Sequence, residues 1–131
     1  CSPLTCDDGT LIESSATGSC LFRSITDGNL YWIGNLCMDD QKAQGNWPRT
    51  HLVAARIQEE PFAIIKDSIS IIDKRRDDES DQIQLSNFRL LQDRETGEIV
   101  LLINRFFERG GWENLGWHDT DLYMYRISLT E

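Results

Sequence analysis

The sequence has no apolar run approaching the ~20 residues of a membrane-spanning helix and no charged-then-apolar leader, so membrane insertion is not expected. Basic residues are scarce. With 13 Lys and Arg against 22 Asp and Glu, the formal charge is −9, which repels phosphate backbones and anionic lipid surfaces. Nucleic acid is therefore not an expected partner. The cysteines lack the close CxxC pairs of structural zinc, and there is no phosphate-cradling glycine loop, zinc helix motif or Ser/His/Asp set in a recognisable local context. No metal and no cofactor is expected. A sustained i, i+3, i+4, i+7 apolar stripe is also missing, which leaves little room for amphipathic helices. No Asn-x-Ser/Thr sequon occurs.

What remains is a 131-residue chain with 40% hydrophobic residues, enough apolar material for one core and too short for two independent ones. It opens on Cys1-Ser2-Pro3 without an initiator Met and is expected to be a piece of something longer. Four cysteines, Cys1, Cys6, Cys20 and Cys37, crowd the first third, the part poorest in regular pattern. An even count there fits disulfides formed in an oxidising compartment, hence a secreted or extracellular protein. Three pairings are open. The alternative is four reduced thiols buried as small hydrophobes.

Period and turn chemistry predict an all-β chain. Residues 21–25 and 30–33 flank Thr26-Asp27-Gly28-Asn29, where Asp-Gly supplies the positive φ of a tight hairpin. A long polar loop follows, then an extended apolar run over 52–57 and a period-two strand over 68–71. Residues 74–82 carry charges of both signs and read as a solvated linker. Beyond it, Ile83 and Leu85 hold one parity and Phe88 and Leu90 the other, so a β-bulge at Ser86-Asn87 would keep all four on the core face. The unbroken run 99–103 predicts a central strand covered on both faces. Residues 122–129 close the chain as a strand. The expected organisation is a Cys-containing segment over 1–20, a first four-stranded sheet over 21–73, the linker, and a second sheet of about three strands over 83–131. Groups of this size match antiparallel propeller blades, and two or three blades cannot close a ring alone. A small β-sandwich is the alternative.

Four stretches, FRSITDGNLYWIGN, NWPRTHLVAARI, QLSNFRLLQDRETGEIVLLINR and DLYMYRISL, give the chain from about Leu21 onward a family likeness. In order and spacing it resembles the C-terminal part of sialidase-like propeller proteins, the BNR or Asp-box superfamily of glycoside hydrolases and their non-catalytic relatives. The resemblance implies a partial propeller of two to three blades in a glycan-related setting, completed by further blades or another chain. The family's Asp box is absent, since Ser24, Asp27, Gly28 and Trp32 hold its residue types at another spacing. The position of the family's Tyr nucleophile falls on Leu85, ahead of Ser86, and leucine cannot attack a sugar. The resemblance therefore argues against sialidase chemistry carried by this segment.

Carbohydrate is the expected ligand. Trp47, Trp112 and Trp117 fall outside the predicted strands, and a Trp face beside amides and carboxylates suits a sugar. Trp32, inside an apolar strand, is expected in the core. Asn46 adjoins Trp47, while His118 and Asp119 adjoin Trp117. Neighbours in an extended chain point oppositely, so Asp119 is poorly placed to orient His118 as a base. Arg23 and Arg49 have the guanidinium fork for a carboxylate, with surface ion pairs as the competing use. Asp77, Asp78, Glu79 and Asp81 lack the order of a calcium loop and are expected to be solvated. No catalytic residue is assigned. A protein-interaction β module is the alternative function.

Overall fold

The computed structural model describes residues 3–108 and 120–129, and its first regular feature is the expected hairpin. Strand β1 (Cys20–Arg23) pairs antiparallel with β2 (Leu30–Asn35) around a turn in which Gly28 takes φ +73°. Strand β3 (His51–Glu59) lies on the far side of β2, after the long loop. Its other edge is shared end to end by two strands. β4 (Phe62–Ile64) pairs with Ile57 to Glu59, a 3-10 turn (Lys66–Ser68) follows, and β5 (Ser70–Lys74) pairs with the other half of β3. The first sheet therefore has five strands in four positions. The second is the meander β6 (Gln84–Gln92), β7 (Ile99–Phe106) and β8 (Leu122–Ile127). All strand pairs are antiparallel, and the protein is all-β.

Alternation along β2 and β3 divides the core in two. Trp32, Val53, Ala55 and Ile57 point to one side of the first sheet, where the N-terminal segment covers them with Cys6, Leu4 and Ile12. Gly34 lies two residues beyond Trp32, and a Cβ there would collide with the indole, so this glycine lets the ring lie along the strand. Ile33 and Leu52 point to the other side and meet Ile83, Leu85, Phe88, Leu101 and Ile103 of the second sheet. The two sheets thus stack face to face. Losing one of these fully buried aliphatic side chains to alanine costs about 2–5 kcal/mol.

The bulge is present. The register of β6 on β7 shifts between Ser86 and Arg89, and Asn87 takes φ +58°. Ile83, Leu85 and Phe88 are buried and Leu90 packs against them, as the parity switch requires.

Three expectations are corrected. Strand β7 is not covered on both faces. Ile99, Leu101 and Ile103 are buried, but Leu102 on the opposite face is 40% exposed, with Leu91, Leu122 and Met124 at 58%, 65% and 61%. Among the described residues no second layer covers this outer face, so the continuous apolar run does not mark a strand packed on both sides. Within the segment 74–82, Lys74, Arg76, Asp77, Asp78 and Asp81 are exposed as expected, but the Glu79 side chain packs against Arg105 and the Ser80 N–H donates to the Glu108 carbonyl, so the segment is tied to the second sheet. Finally, Cys6, Cys20 and Cys37 carry free thiols in place of the expected disulfides, while Cys1 lies outside the described residues. The alternation explains the separation: Cys6 is packed on one side of the first sheet and Cys20 on the other.

Candidate functional site

At one end of the stack, the inward parity of β7 continues from Ile103 to Arg105, whose side chain is fully buried. The guanidinium pairs with Asp73 of β5, with Glu79 at 2.5 Å, and with Glu108 at 3.2 Å, and lies 5.7 Å from the Tyr123 ring centroid. Burial alone would lower its pKa, but Glu79 and Asp73 outweigh that and hold it above the ordinary arginine value. The Tyr125 hydroxyl donates to the same Asp73 carboxylate, and burial together with that bond pushes its pKa up to about 12. A guanidinium sealed from solvent reaches no substrate. This cluster joins the charged segment to both sheets and is structural.

A seam lies near it. The Asn35 amide donates to the carbonyls of His51 (2.9 Å) and Leu85 (2.8 Å), and the Leu85 N–H donates to the Arg49 carbonyl at 2.9 Å. Arg49 spans the same junction. Its Nη1 donates to Gln84 and Ser86, each at 3.2 Å, and its Nη2 to the Ala16 carbonyl at 2.5 Å. Among the described residues no carboxylate pairs with it, and desolvation lowers its pKa. Arg49 is thus a strap between segments, with Nε enclosed and without a hydrogen-bond partner. Arg23 is occupied by a two-pronged ion pair with Glu59, at 2.6 and 3.1 Å.

Of the sugar-binding candidates, Asn46 is exposed and Trp47 half-buried in the turn that Trp47 and Gln44 close by reciprocal backbone bonds. They are sequence neighbours of Arg49, but its guanidinium is engaged elsewhere. Trp112, Trp117, His118 and Asp119 lie outside the described residues. Trp32 is in the core, as expected. Leu85, at the position matched to the nucleophile, is completely buried between the sheets and closes that position to a ligand as well as to chemistry.

Clefts also open on the surface among the described residues, and two of them are large enough to consider. One, of about 320 Å³, lies between residues 18–20 and the bulge at residues 87–90. The other, of about 390 Å³, is bounded by the first sheet, the 3-10 turn and the end of β8, and is lined by Tyr31, Arg56, Asp67, Ser68, Ser70, Ile127 and Leu129 among others. Tyr31 and Arg56 are register partners on β2 and β3. The Tyr31 ring stacks on Phe22 with centroids 5.6 Å apart, and its hydroxyl donates to Asp27 at 2.6 Å; burial and that bond raise its pKa. Arg56 Nη2 donates to Asn29 at 3.1 Å, and the Arg56 N–H donates to Ser68 Oγ at 2.8 Å. Sequence reasoning missed this cleft. The parity of β3 did hold the signal for Arg56, since it follows Leu52 and Ala54 on the face turned to the second sheet. No family model matches the chain, and no curated protein and no solved structure does either.

Proposed function

We propose that the chain is a non-catalytic segment of a sialidase-like propeller, with a glycan-related role exercised through the assembly it joins. The observation that carries this reading is the outer face of the second sheet. Leu91, Leu102, Leu122 and Met124 are exposed there, with half-buried Val100 between Leu91 and Leu102, and make an apolar face. Strand positions on that face also hold Arg89 and Arg126, and Arg126 is paired at the hairpin end with Glu98 at 3.0 Å and Asp93 at 3.4 Å. Its occupant is a further antiparallel sheet, because the two sheets already stack through alternating aliphatic faces of this composition. Arg89, which donates only to the Phe88 carbonyl among the described residues, favours a sheet with an acidic rim. The glycan-related part rests on the resemblance and on Asn46 and Trp47 at the surface. Burial of Leu85 supports a role without catalysis.

The test is binding of the dye 8-anilinonaphthalene-1-sulfonate to the native chain, compared with the Leu102→Glu, Met124→Glu double variant. The parent binds dye while fully folded, and the variant loses that binding at an unchanged melting temperature. A folded parent that binds no dye overturns the docking face. For the glycan-related part, Trp47→Ala lowers glycan-array binding without lowering the melting temperature; a fall in melting temperature instead assigns the ring to packing.

A further inference from the structure

The cleft bounded by the first sheet, the 3-10 turn and the end of β8 holds one cationic and one anionic side chain that are not paired with each other. Arg56 has an amide neighbour in Asn29 and no carboxylate partner among the described residues, and Asp67 enters no ion pair among them. The Ser68 hydroxyl is already spent, accepting from Arg56 N–H and donating at 2.6 Å to the Ile65 carbonyl. Ile127 and Leu129 contribute apolar surface. The volume, about 390 Å³, is at the small end of ligand sites, where cavities run from roughly 300 to 1,000 Å³.

From this we infer that the cleft binds a free α-amino acid with an apolar side chain, held as its zwitterion. The α-carboxylate meets the Arg56 guanidinium, the α-ammonium meets the Asp67 carboxylate, and the side chain lies against Ile127 and Leu129. Charge selects this class. A simple anion would face Asp67 and a chain of net charge −9, and a simple cation would face Arg56, whereas a zwitterion complements both groups without adding net charge. The Arg56 fork suits a planar carboxylate, which fixes the polarity of the bound molecule. This inference is independent of the docking face, which lies on the other side of the second sheet.

Calorimetric titration of the folded chain with L-leucine tests it, with L-leucinamide, which lacks the carboxylate, and N-acetyl-L-leucine, which lacks the ammonium, as comparisons. Leucine binds saturably, and each derivative binds about tenfold or more weakly, as expected for loss of one charge-assisted contact. Arg56→Gln removes the preference over leucinamide, and Asp67→Asn removes the preference over N-acetyl-leucine. Asp67 sits on an exposed turn, so its variant remains a test if Arg56→Gln lowers stability. Absence of saturable leucine binding by the parent overturns the inference, and so does equal affinity for the three compounds or a ranking that Asp67→Asn leaves unchanged.

Discussion

A fully buried guanidinium is stable only while its carboxylates stay beside it, and Arg105 has three of them, from β5, from the charged segment and from the turn after β7. Replacing only the arginine strands three acids at the junction of the sheets. Breaking a buried ion network in this way costs about 3–5 kcal/mol, whereas an exposed pair is worth less than ~1 kcal/mol. Arg105→Met should therefore lower stability in urea by about 3–5 kcal/mol. Arg76→Met, at an exposed arginine 3.5 Å from Glu79, should cost less than ~1 kcal/mol. Equal effects from the two variants would refute the network. Arg105 was legible by parity, because positions 99, 101 and 103 point inward and 105 follows. Its partners were not. Asp73 and Glu79 lie 32 and 26 residues away in sequence, and local charge composition reads a segment such as 74–82 as solvated whether or not a buried cation waits for it.

The elements show where periodicity suffices and where it fails. The bulge in β6 was readable because an alternation that changes phase without a turn has one economical solution, an extra residue between the two phases. Asn87 supplies that residue at φ +58°, a conformation Asn tolerates and β-branched residues resist. Asn87→Val should lose about 1–2 kcal/mol in chemical denaturation, while Asn87→Gly leaves stability within ~0.5 kcal/mol. If the two variants lose the same amount, the cost arises from lost side-chain contacts and not from backbone conformation. The strand over 99–103 shows the opposite case. A continuous apolar run does not say by itself which of its two faces is covered, and here the outer one is exposed at Leu102 among the described residues. The cysteines mislead for a related reason: clustering in sequence does not bring side chains to the same face, and the first sheet stands between Cys6 and Cys20.

At the scale of the molecule, the question is whether two sheets joined by a charged segment behave as two modules. Three features bind them. The shared cluster joins Ile33 and Leu52 of the first sheet to Leu85, Leu101 and Ile103 of the second. The seam carries Asn35, His51, Leu85 and Arg49 across one end. At the hairpin end, the Gln92 amide nitrogen reaches Ser24 (3.1 Å) and Thr26 (3.2 Å) of the first sheet's turn, and its oxygen accepts from the Ile25 N–H at 2.7 Å. Separating the sheets would expose the aliphatic face of each and leave these groups without their partners, so neither sheet has a stable state of its own. The described protein should unfold in one transition. At about 0.7 kcal/mol per residue near 60 °C, a single 131-residue unit has an unfolding enthalpy of about 90 kcal/mol. Scanning calorimetry should find the van't Hoff enthalpy equal to that calorimetric value. A van't Hoff enthalpy near half of it, or two resolved transitions, would show that the charged segment is a true boundary. Gln92→Ala discriminates further: in a single cooperative unit it lowers the whole transition, whereas in a two-module protein it leaves the melting of each sheet where it was.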